Sequence, residues 1–183
     1  MNKATFLNNL KYSYYMPGLA HFGIGLASKR FSPQIPLWVL LISAMFIDVL
    51  SFIFISAVWI SHGLFMSVIW SIIAMIITAL ITMRLNSNRE QNKIKKSLSW
   101  SMVNLNIAMI IGTLVFSHWV LDFIGWPMTA IGINDIGTPL LFDDAVNIGL
   151  GVYTTLFGAL SMDIGVFVVG LGLYIHYVKK VKK

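Results

Sequence analysis

Phe116 to Asp122 reads Phe-Ser-His-Trp-Val-Leu-Asp and sets an imidazole, His118, and a carboxylate, Asp122, four positions apart inside an apolar run. At that spacing on a helix the two side chains share a face. Ionisable groups in such a run are costly unless they face a protein interior or a wet cavity, so by default they mark a functional site. Three more residues of the same chemical kind stand elsewhere: Asp48 within another apolar run, His62 at the opening of a third, and His21 in a glycine-rich segment near the start. Neutral imidazoles and carboxylates are the ligands that zinc, manganese and iron accept, and helical bundles assemble metal sites from residues on facing helices. The candidate metal ligands are therefore His21, Asp48, His62, His118 and Asp122, with Asp48 also a candidate general base.

The charge distribution favours a metal over bare carboxylates. No Lys or Arg lies between Phe31 and Met83 or between Ser97 and Val178, so carboxylates buried there have no cationic side chain to pair with and must take up protons or bind a cation. Each residue also has a structural reading. His118 can simply bond Asp122 or Ser117, Asp48 can be a protonated carboxyl bonded to Ser43 or Ser51, and His62 can be a wet residue at a helix start. Asp163 has no histidine within a turn and reads as structural, or as orienting a ligand. His176, beside Tyr177 and the lysine tail, reads as interfacial. No serine or cysteine with an adjacent base stands out, which disfavours covalent catalysis.

The elements that must position these groups are membrane helices. Of 183 residues 57% are hydrophobic and 11% charged, with a mean hydropathy of +0.80, far from the quarter or so of charged residues usual in soluble domains. The net charge of +6 would suit nucleic acid, but the cations cluster at Lys29 and Arg30, from Arg84 to Lys96 and from Lys179 to Lys183, as the positive-inside rule produces. Nucleic-acid binding is therefore not expected. Without cysteine, disulfides and thiolate metal sites are excluded.

The expected fold is an all-α polytopic bundle of four or five transmembrane helices in one domain, residues 1–183. Spans are expected over 37–60, 64–83, 99–126 and 148–178, with 12–28 crossing or re-entrant. Residues 84–98 form a basic cytoplasmic loop, 127–147 an outside loop, and the C-terminus is cytoplasmic. No removable signal peptide is expected at the start. Asn104 and Asn106 are expected at the interface or lining the bundle. Gly158, Gly165, Gly170 and Gly172 predict close helix packing on the last span.

His-Phe-Gly-Ile-Gly from His21, Phe-Ile-Asp-Val around Asp48, Ser-His-Gly-Leu-Phe-Met-Ser-Val-Ile-Trp around His62 and Phe-Ser-His-Trp-Val-Leu-Asp occur in an order that resembles the inner-membrane-bound, metal-dependent hydrolases of bacteria and archaea. The likeness is closest to a branch labelled as permeases or uncharacterised membrane proteins, and the family is distantly similar to zinc-dependent phospholipases C. The resemblance covers about His21 to Asp122, with a weaker echo in the last span. It implies an inner-membrane location, a zinc site in which His21, Asp48, His62, His118 and Asp122 are ligands or direct supports of ligands, and hydrolysis of an ester or phosphoester of a lipid or membrane-adjacent substrate. Leu50 and Ala57 stand where the family has a second aspartate and a further histidine, a loss that leaves either one metal where the fuller site holds two, or none. The rival expectation is a non-enzymatic membrane protein, a small transporter or a scaffold, using the same polar cluster.

Overall fold

A computed structural model describes residues 18–54, 58–87, 97–129, 137–142 and 145–181. Ala57, Glu90 with the centre of the basic loop, the loop aspartates Asp135, Asp143 and Asp144, and the stretch before Gly18 lie outside the described residues.

The chain is mostly helical: α1 (Leu19–Phe31), α2 (Leu37–Ala44), α3 (Phe46–Ile53), α4 (Val58–His62), α5 (Leu64–Ser87), α6 (Ser97–Gly125) and α7 (Leu156–Val181). Between α6 and α7 the strands β1 (Thr138–Pro139) and β2 (Asn147–Ile148) pair antiparallel, followed by a 3₁₀ turn, Val152–Thr154. Among the described residues three helices are long and apolar enough to cross a membrane, over Leu64–Leu85, Asn104–Gly125 and Leu156–Val181. Half of the apolar window of α6 is buried, against 11% for α5 and 17% for α7, so α6 is the central helix. It packs Ile111 and Leu114 against Leu40 of α2, and Val115 against Ile47 and Leu50 of α3. Leu50 is thus a core residue. Asn104 is buried and Asn106 exposed.

Two expected spans differ from the observed helices. Residues 37–60, read as one span, are broken at Met45 and again after Ile53. The first break puts Asp48 in the first turn of α3, where unpaired N–H groups and the helix dipole favour a carboxylate. The last span begins at Leu156 rather than 148, because the preceding residues belong to β2 and the 3₁₀ turn. At about 1.5 Å per residue, α1 is about 20 Å long, short of the roughly 30 Å of bilayer hydrocarbon.

Helices α1 and α7 run side by side in the same direction. The Ala20 N–H meets Asp163 near their starts, and Lys29 Nζ stands 6.0 Å from the Tyr177 ring centroid near their ends. The backbones come together at Gly23 and Gly170: a Cβ on Gly170 would strike the Gly23 carbonyl oxygen, and one on Gly23 would lie 2.8 Å from the Phe167 Cα. Gly165 and Gly172, expected to share this role, face open space. Gly170→Val is therefore expected to destabilise the detergent-solubilised protein by about 1–3 kcal/mol through overpacking. Gly172→Val, with the same change in helix propensity, is expected to shift the thermal midpoint far less, the difference between the two variants reporting the crossing alone.

Candidate metal centre

The five candidate ligands reach the site from four helices. His21 comes from the first turns of α1, Asp48 from the start of α3, His62 from the end of α4, and His118 with Asp122 from the last turns of α6. All five are buried, with His118 fully inaccessible. The sequence set is brought together complete.

Three imidazole Nε2 atoms face two carboxylates. His118 Nε2 lies 3.3 Å from Asp48 Oδ1 and 3.4 Å from Asp122 Oδ2, and His62 Nε2 lies 3.7 Å from each of the same two oxygens. His21 Nε2 is 3.5 Å from the other Asp122 oxygen, Oδ1, and its ring stacks on that of His118 at 3.8 Å between centroids. These spacings exceed the ~2.7–2.9 Å of charge-assisted hydrogen bonds. The two His118 contacts match the separation of ligands around an ion, since donors about 2.0–2.1 Å from a tetrahedral centre stand about 3.3–3.4 Å apart, and the 3.5 and 3.7 Å contacts of His21 and His62 are slightly wider. Accordingly His62 Nε2, His118 Nε2, Asp122 Oδ2 and both ring nitrogens of His21 are buried without a hydrogen-bond partner among the described residues. His21, Asp48 and His118, and likewise His62, His118 and Asp122, present ligand atoms within 4.8 Å of one another and can hold a metal ion.

The far side of the rings fixes which nitrogen is free. His118 Nδ1 lies 2.9 Å from the Ala44 carbonyl oxygen. A carbonyl only accepts, so Nδ1 carries the hydrogen and the neutral ring offers a lone pair at Nε2. Ala44 ends α2, and carbonyls in a final helical turn lack intrahelical donors; the break at Met45 thus supplies the acceptor that orients His118. His62 Nδ1 is 2.8 Å from Ser61 Oγ, and its ring stacks on Trp126 at 5.6 Å and 17°. Partners of this kind, which hold the non-coordinating nitrogen, accompany most metal-binding histidines.

The simple hydroxyl-bonded readings do not describe these residues. Ser43 Oγ donates to the Val39 carbonyl, Ser51 Oγ to the backbone carbonyl of Asp48, and Ser117 Oγ to Leu114. His62 is buried rather than wet, and His176 is exposed and apart from the cluster. Asp163 lies outside the ligand set and binds the Ala20 N–H and the Tyr153 hydroxyl instead. Sequence reasoning missed Ala44, Ser61, Trp126 and Tyr153. Only Ser61, adjacent to His62, left a signal that could have been followed.

Compared with protein-family models, curated proteins and solved structures, the chain matches none.

Proposed function

We propose that this is a polytopic membrane protein with one catalytic divalent-metal site, zinc being the metal of choice, that hydrolyses an ester or phosphoester of a lipid or membrane-adjacent substrate. The observation that carries the proposal is the convergence of three buried Nε2 atoms on two carboxylates near ligand spacing, with buried nitrogens that make no hydrogen bond among the described residues. His118 belongs to both ligand groups and has only Nε2 to give, which supports a single ion.

His62, His118 and Asp122 would hold the ion. A bound zinc ion supplies Lewis acidity, polarising the scissile group and acidifying water beside it. Asp48 is the group whose side chain keeps an accessible edge, 11% against 6% or less for the others where it pairs with them. It takes the proton from the attacking water and returns it to the leaving oxygen. That edge would give water a way to the ion, which a catalytic site needs and a closed structural site does without.

The described cations in the last turns of α1, α5 and α7 (Lys29, Arg30, Arg84, Lys179 and Lys180) lie at the end of the bundle opposite the site. The positive-inside rule puts that end in the cytoplasm. His118 lies about 10 Å from the Gly125 end of α6 at about 1.5 Å per residue, inside the outer half of the roughly 30 Å hydrocarbon, so a lipid ester would reach the site from the headgroup level above it.

Protein purified in detergent without added chelator is expected to carry about one zinc per chain. Saturation at 100 times the dissociation constant is expected to stabilise it by about 2.7 kcal/mol, read as a rise in melting temperature that EDTA reverses. Zinc-loaded protein is then assayed for release of headgroup or fatty acid from mixed phospholipid micelles. Metal-free protein with an unchanged melt sinks the metal site. Loaded protein with no turnover on any lipid ester favours the scaffold or transporter.

A further inference from the structure

The first N–H groups of a helix have no acceptor within it and are usually met by a polar side chain just before the first turn. In α1 the preceding residue is Gly18, which makes no side-chain cap. The buried Ala20 N–H is met instead from another helix, by Asp163 Oδ1 at 3.3 Å. The same oxygen accepts the Tyr153 hydroxyl at 2.9 Å. Tyr153 is itself buried, its ring packed so closely on Gly125 that a Cβ there would lie 2.8 Å from Cε2. Gly125 ends α6 about one turn beyond Asp122. One carboxylate oxygen thus ties together the start of α1, the end of α6 and α7. Burial and the neighbouring Asp163 carboxylate push the Tyr153 phenol above its ordinary range, so its oxygen keeps the hydrogen it donates.

We infer that Asp163, held by Tyr153, is a positioning residue that caps α1 from outside and thereby sets His21 against Asp122. Ala20 immediately precedes His21 in the chain, so fixing its N–H fixes the azimuth of the first turn. Among the described residues His21 makes no side-chain hydrogen bond. It is kept 3.5 Å from Asp122 Oδ1 by the backbone that carries it and by stacking on His118. Asp122 Oδ1 is the oxygen turned away from His62 and His118. A histidine held there steadies the carboxylate whose Oδ2 faces the ion. The inference rests on the proposed metal site and extends it to a residue that touches neither ion nor substrate.

The test is zinc affinity of the full chain in detergent, measured by competition with a chromophoric chelator. Loss of an outer partner of a metal ligand weakens binding about 10- to 100-fold, and that is the loss expected for Asp163→Ala and for His21→Ala. Because the first acts through the second, the double variant is expected to bind no more weakly than His21→Ala alone, a coupling that general loosening of the fold does not produce. Asp163→Asn retains an Oδ1 acceptor and is expected to bind within about threefold of the unmodified protein. Should Asp163→Ala fail to fold, Tyr153→Phe serves in its place, with a smaller loss that vanishes in the His21→Ala background. Unaltered affinity in Asp163→Ala, or losses that multiply in the double variant, overturns the positioning role and leaves the metal site standing. Absence of zinc binding by the unmodified chain removes the metal site and this inference with it.

Discussion

His118→Ala is expected to purify without metal and to bind zinc roughly 10²–10³-fold more weakly than the unmodified chain. A structural zinc site is worth about 10–16 kcal/mol spread over its ligands, so one lost ligand costs roughly 3–4 kcal/mol. His118 is the residue for which that share is most secure. Its Nε2 has the shortest contacts to both carboxylates, 3.3 and 3.4 Å, and its Nδ1 is committed to the Ala44 carbonyl. Alanine also leaves a cavity beside the stacked His21 ring and leaves the Ala44 carbonyl without its donor. The apo form is therefore expected to melt below apo wild type, by the roughly 1–3 kcal/mol of an unsatisfied buried acceptor. The two effects separate with EDTA. The chelator lowers the melting temperature of the unmodified protein and leaves that of the variant where it is. A variant that keeps near-stoichiometric zinc refutes the site, however unstable it has become.

Much of this centre was legible because its chemistry is local to short motifs. The spacing of His118 and Asp122 gives their common face on any helix, and Asp48 and His62 stand out as polar groups in or beside apolar runs without a cation to balance them. Their meeting in space is a matter of helix packing, which periodicity does not encode. What stayed hidden depends on backbone. Residues 37–60 have the composition of one span, and hydropathy averages over the break at Met45. Yet that break frees the Ala44 carbonyl for His118 and sets Asp48 in a first helical turn. Likewise Gly165, Gly170 and Gly172 are alike in sequence, and only Gly170 meets another backbone, at Gly23. Which glycine is used depends on where α1 crosses α7, a contact between elements far apart in the chain, beside which Asp163 accepts the Ala20 N–H.

Asp48→Asn is expected to keep zinc and lose turnover. The amide is nearly isosteric and preserves an oxygen where Oδ1 stands, 3.3 Å from His118 Nε2 and 3.7 Å from His62 Nε2, but it cannot accept a proton from water. If His62, His118 and Asp122 hold the ion while Asp48 serves as base, zinc affinity falls less than about tenfold and kcat falls about 10²–10⁴-fold, with KM little changed. If Asp48 is a ligand instead, affinity falls with the severity expected of His118→Ala, and activity returns in part when excess zinc is supplied. Measuring affinity and kcat on the same preparation therefore separates the two roles. The argument for the base is positional: among five buried groups, Asp48 keeps the accessible edge, and it sits at a helix start where an ionised carboxylate is favoured. An Asp48→Asn variant that retains full kcat on a lipid ester would remove the general base and require the proton to leave through another group of the cluster. His21 is then the next to test, because neither of its ring nitrogens is committed to a hydrogen bond.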